Sequence, residues 1–176
     1  MNYLRLIDEK NKKELASFIY YRLHSRYIKP LCNDEEDEEN YNGFSIMANC
    51  CLLIETIESF KQGIGDTSGN SKKMFVDFFK SETNFKLFEK KTDLFYSKVR
   101  CGILHQGETT GGWILLRKGK QLFDSENLKI SPKKFLDEIE ISLKKYKSLL
   151  ENEDWDSEIW DNFRRKMRII IKNCQK

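Results

Sequence analysis

Along most of the chain, apolar residues recur three and four positions apart, the period of an α-helix with one buried face. Leu15, Phe18, Ile19 and Leu23 follow it in a segment running from about Glu9 to Lys29, which Pro30 closes. Ile46, Met47, Cys50, Leu53, Ile54 and Ile57 give the next segment, about Ser45 to Gln62, an apolar face broad enough for a central helix. Ser45 stands where a cap is needed, and Gly63 and Gly65 where a stop is needed. A third helix is predicted over about Lys72 to Ser81, with Met74, Phe75, Phe78 and Phe79 inward, and Phe85, Leu87 and Phe88 prolong the apolar content. A fourth covers about Thr92 to Gln106, with Phe95, Val99 and Ile103 one turn apart and Gly107 as its end signal. Ser131 and Pro132, a cap followed by proline at the first helical position, open a fifth that runs to about Glu151. The last helix, about Ser157 to Asn173, carries Ile159, Trp160, Phe163, Met167, Ile170 and Ile171 on one face.

One stretch departs from this period. Gly111 and Gly112 precede Trp113 to Arg117; Lys118, Gly119 and Lys120 follow, then Gln121 to Phe123. The pattern predicts a small β-hairpin over about 113–123 with a basic turn. Its plain role is to cover part of the helical core. Its functional alternative is to hold Arg117, Lys118 and Lys120 against a phosphate backbone. Asn33 to Gly43 is an acidic loop without apolar anchors, expected to be mobile. The glycines of 63–71 have no Walker spacing and no strand before them, so they are not a nucleotide fingerprint. With no internal repeat and no linker, the expectation is one all-α domain over 1–176: a bundle of five to six helices carrying the hairpin as an insertion.

Composition narrows the chemistry. Twelve Phe and three Trp in 176 residues can fill a core without disulfides. Five cysteines are an odd number, show no C-x-x-C or paired-His spacing, and lie mostly inside apolar helical patterns. Buried thiols in a reducing cytosol fit best. Arg5, Asp8, Glu9 and Lys10 leave no apolar run for a signal peptide near the N-terminus, and no stretch approaches the length that spans a bilayer. A cytoplasmic protein with no membrane partner, no metal and no cofactor is therefore expected. The net charge of +3 is too mild to mark a nucleic-acid binder. Arg164, Arg165, Lys166 and Arg168 nevertheless cluster near the C-terminus and could form a basic face, although solvated side chains on a helix are the commoner reading of such a run.

Only two histidines occur, which limits acid–base chemistry near neutral pH to two positions. His24 lies late in the first helix and reads as a half-buried helical residue. His105 closes the fourth helix, five positions after Arg100. On a regular helix that spacing is roughly 140° of projection, so the two would share no face unless the last turn frays or a second copy supplies the partner. Their chemistry suits RNA. A guanidinium can grip a phosphate and stabilise transition-state charge, while an imidazole can take the proton of a 2′-hydroxyl or protonate the leaving oxygen. One imidazole per chain cannot do both at once, whereas two copies across a symmetric groove could divide the roles. Tyr96, one turn before Arg100, could bond a phosphate or orient the guanidinium.

This R-x-x-x-x-H segment, Arg100 to His105 at the end of a helix in an all-helical chain, resembles the HEPN superfamily. The resemblance implies a helical bundle, often a homodimer whose two motifs face one cleft. In active members it implies metal-independent endoribonuclease activity, with Arg100 and His105 as the catalytic pair. It also implies a setting in toxin–antitoxin or phage-defence systems, often beside a nucleotidyltransferase-like antitoxin partner. Cys101 stands where the family commonly has Asn. Inactive members serve as scaffolds, so a non-catalytic module binding RNA or a protein stays open. So does a structural reading, in which Arg100 pairs with Glu55 or Glu58 and His105 sits at a helix C-terminus, where a cation is favoured.

Overall fold

The most apolar helix is also the central one. In the computed structural model, which describes residues 3–32 and 42–174, α3 (Gly43–Gln62) packs against α4 (Ser71–Ser81), α7 (Pro132–Asn152) and α8 (Glu158–Cys174). Ile46, Met47, Cys50, Leu53, Ile54 and Ile57 are all buried. Length and composition alone would let α3 cross a membrane, which amends the expectation that no stretch comes near that length. Here it is a core helix, most of whose residues are buried inside the bundle. It ends at Gly63, whose φ of 65° is the left-handed conformation that closes a helix. Asn162 of α8 lies so close that a Cβ on Gly63 would meet its backbone Cα at 3.0 Å.

The all-helical reading holds, with a small three-stranded sheet as its insertion. The first helix differs in detail. It starts at Lys12 rather than Glu9, as α2 (Lys12–Leu23), capped by Asn11, which accepts from the Glu14 N–H, and an unforeseen short helix, α1 (Tyr3–Asp8), precedes it across a break at Lys10, whose φ is 49°. Beyond α2 the chain widens into a π turn, His24–Ile28, and a 3-10 turn, Lys29–Leu31, containing Pro30. The expected cap at Ser45 is not used, since the helix begins at Gly43. Leu87, in the 3-10 segment Thr83–Lys91, is exposed rather than inward. The acidic 33–41 stretch lies outside the described residues.

The insertion is not the hairpin that 113–123 predicts. Strand β1 (Ile114–Leu115) pairs in parallel with β3 (Lys129–Ile130), and β2 (Phe123–Asp124) pairs antiparallel with β3 from the other side. The tight turn lies instead between β2 and β3, where Asp124 Oδ1 accepts the Glu126 and Asn127 N–H groups and Leu128 takes a φ of 54°. Aromatic packing dictates this layout. Trp113 stacks on Phe123 at 5.3 Å, and Phe123 stacks on Phe88 at 4.3 Å, joining a cluster of Phe75, Phe79, Phe85, Phe95 and Phe135. Each such pair adds about 0.5–1.5 kcal/mol beyond burial. The insertion thus lids the aromatic core.

A polar knot crosses the bundle. Lys61 Nζ donates to Glu58 Oε1 at 2.9 Å and Glu82 Oε1 at 2.8 Å, and Ser142 donates to Glu82 Oε2 at 3.0 Å. Glu58 and Glu82 are buried. Burial opposes the Lys61 charge, but the two carboxylates more than offset it and raise its pKa. Lys61→Met would leave Glu58 with Gln62 alone and Glu82 with Ser142 and the more distant Lys145 at 3.6 Å, and is expected to cost about 3 kcal/mol in urea denaturation at neutral pH. A loss under about 1 kcal/mol would show the knot to be solvated rather than buried.

Candidate functional site

Arg100 is placed by an irregular helix. Residues 92–106 form one rod made of α5 (Thr92–Leu94), a π turn (Phe95–Arg100) and α6 (Cys101–Gln106). A π turn is a common device at functional positions. Tyr96 lies beneath Arg100, its ring centre 5.4 Å from the guanidinium carbon, and the ring also meets that of Phe75 edge-on at 5.4 Å. The ring, rather than the hydroxyl, is what Tyr96 gives Arg100.

Opposite, Glu55 of α3 receives both Arg100 Nε at 3.2 Å and Nη2 at 3.0 Å on Oε1, while Thr67 donates to its Oε2 at 3.0 Å. The pairing foreseen with Glu55 or Glu58 is therefore with Glu55; Glu58 is taken up by Lys61 and Gln62. Burial works against the Arg100 charge, but the Glu55 carboxylate and its hydrogen bonds prevail and hold the pKa above the ordinary value. The Cys101 thiol also lies against the guanidinium. Glu55 engages only part of the guanidinium fork, so donors remain.

Arg100 and Glu55 lie in an open groove of about 490 Å³, a size within the roughly 300–1,000 Å³ of ligand sites. Ala48, Leu52 and Leu104 make its apolar flank, and Gly65, Thr67 and Lys166 line it as well. Lys166 comes from α8 and donates to the Gly65 carbonyl at 3.0 Å. Burial lowers its pKa, opposed by the Asp66 charge.

His105 is exposed and is not among the residues lining the groove. Leu104 faces the groove, and the next residue points about 100° further round the helix. The last turn does not fray. Gly107, with a φ of 74°, donates to the Ile103 carbonyl at 3.1 Å, and Thr110 N–H returns to the Lys98 carbonyl at 2.9 Å. Gly102 is pressed against this return, since a Cβ there would meet the Glu108 carbonyl oxygen at 2.5 Å. Convergence of Arg100 and His105 by fraying within one chain is thus not found, and no hydrogen bond links them.

Arg117, Lys118 and Lys120 are exposed on the loop between β1 and β2 and do not line the groove. His24 is half-buried, stacked on Tyr20 at 5.4 Å with Glu140 at 3.7 Å. Arg164 is committed to Asp161 and the Trp155 carbonyl, which removes it from the foreseen basic face. Among the described residues, no group of three His, Cys, Asp or Glu side chains gathers as metal ligands would. Comparison with protein-family profiles, curated proteins and solved structures returned no match.

Two outcomes are expected. A double-mutant cycle of Arg100→Ala and Glu55→Gln should give a coupling of about 1.5–3 kcal/mol in denaturant titrations. Gly102→Ala should destabilise by about 1–3 kcal/mol, because its methyl meets backbone that cannot swing aside. It should also perturb the 108–110 amide signals by NMR; unchanged signals there would refute the contact.

Proposed function

We propose that this chain is a metal-independent endoribonuclease of the HEPN type, acting as a homodimer. What carries the reading is Arg100: a cation held from two sides, by a carboxylate and an aromatic ring, at the wall of an open groove, with an exposed imidazole five residues on. A guanidinium fixed in this way approaches a phosphodiester without first being ordered, which favours transition-state binding. His105 supplies the proton transfer: as base it takes the 2′-hydroxyl proton, the oxygen attacks phosphorus, and the 5′-oxygen leaves with a proton from an acid.

Because α6 holds the two side chains apart in one chain, the reading requires a second copy, whose His105 faces this Arg100. Exposed Phe44 and Leu52 on α3, with half-buried Ala48 between them at four-residue spacing, together with exposed Leu104, support such a pairing. The cytosol, and a nucleotidyltransferase-like antitoxin covering the groove, complete the proposal. The alternative is a non-catalytic module that binds RNA or a protein through the same groove, favoured by the lack of contact between Arg100 and His105 within a chain.

Purified protein incubated with single-stranded RNA in EDTA should yield fragments ending in 2′,3′-cyclic phosphate. Arg100→Ala and His105→Ala should each slow cleavage by about 100-fold or more. Mixing the two inactive variants should restore part of the activity, as one intact site can form across the pair. Cleavage that survives both substitutions, or that is lost to EDTA, would overturn the assignment.

A further inference from the structure

Lys166 was visible in the sequence only as one member of a basic run, and the fold sets it apart from its neighbours. Arg164 is tied to Asp161 and to Trp155, and Arg165 to Asn162. Lys166 instead turns into the groove that Arg100 lines. Its placement follows from two close approaches. Gly63 lets the α8 backbone come down at Asn162, whose Nδ2 donates to the Lys61 carbonyl at 2.8 Å. Gly65 lies so near Ile169 that a Cβ would meet its Cδ1 at 2.7 Å. Lys166 lies between these contacts, one turn from Asn162, and is thereby aimed at the 63–67 loop.

There its charge is poorly matched. Among the described residues its one hydrogen bond goes to a neutral carbonyl, that of Gly65. Among the described residues no carboxylate forms an ion pair with it. Glu55 has both oxygens occupied by Arg100 and Thr67, and Asp66, which also lines the groove, puts one oxygen on the Ser68 N–H and acts on Lys166 through its charge without an ion pair. A half-buried ammonium with donors to spare, sharing a groove with a guanidinium, is suited to an anion.

We propose that Lys166 is a second phosphate-holding residue of the groove, taking a phosphodiester that flanks the one gripped by Arg100 on a single-stranded RNA. This rests on the reading of the groove as an RNA site and adds a subsite to it. Lys166 binds and positions; it takes no part in bond breaking. The groove therefore accepts a strand that carries at least two backbone phosphates, and a mononucleotide engages only half of it.

The test measures binding apart from cleavage. In a His105→Ala background, a fluorescein-labelled single-stranded oligoribonucleotide is titrated by anisotropy across a series of KCl concentrations. Lys166→Met, which keeps the aliphatic stem, should weaken binding by about tenfold and flatten the slope of log affinity against log salt by about 0.7. Lys166→Arg should restore both. With His105 intact, Lys166→Met should raise KM and leave kcat within about twofold. A merely structural strap to Gly65 would lower the melting temperature of Lys166→Met without moving the salt slope, and that result would overturn the proposal. Wild-type affinity and slope in Lys166→Met, with cleavage still dependent on Arg100 and His105, would overturn it while leaving the nuclease reading standing. RNA binding that falls on Lys166→Met in a protein that cleaves nothing would uphold the subsite and reject the nuclease. Absence of RNA binding altogether would reject both.

Discussion

Burial of α3 on three sides is the constraint from which the rest follows. With α4, α7 and α8 packed around it, most of its residues have no route to water. Only one strip, Ala48, Leu52, Glu55 and their neighbours, stays open, and that strip lines the groove. A carboxylate on a half-buried helix face calls for a counter-charge, and Arg100 supplies it. The cation is thus brought to the groove by the packing that defines the core, and the groove exists because α3 is covered incompletely. Half-buried Lys61 with buried Glu58 and Glu82 applies the same rule further along the helix.

Much of the fold was legible because helical periodicity is a local signal. The segments at 45–62, 72–81 and 132–151, and the stops at Gly63 and Gly107, match the structure within a few residues. The sheet was misread for the opposite reason. Its strands are two residues long, and their pairing is set by where Trp113 and Phe123 land on Phe88, a contact between residues distant in sequence. Helix α1 and the π turns also escaped: six residues with Leu6 alone buried carry too little apolar pattern to announce a helix, and a π turn does not interrupt one.

The site was legible in part. Arg100 stood out by its spacing to a scarce histidine, and Glu55 could be named as a partner because it is an acid on an apolar helix. Thr67 and Lys166 could not be found from local pattern, because they reach the groove only through the approach of α8 to a glycine loop. Arg117, Lys118 and Lys120 looked equally suited to a phosphate, yet they follow the insertion, and the insertion follows the aromatic core.

The seam between Gly102 and the Glu108 carbonyl couples two parts that otherwise share little. The helix end bearing His105 is tied by the Thr110 return to the chain that leads into the insertion. Because its two anchor points, Lys98 and Gly102, bracket Arg100, a substitution that displaces this return bears on the wall of the groove from a distance, with the Glu55 ion pair resisting it.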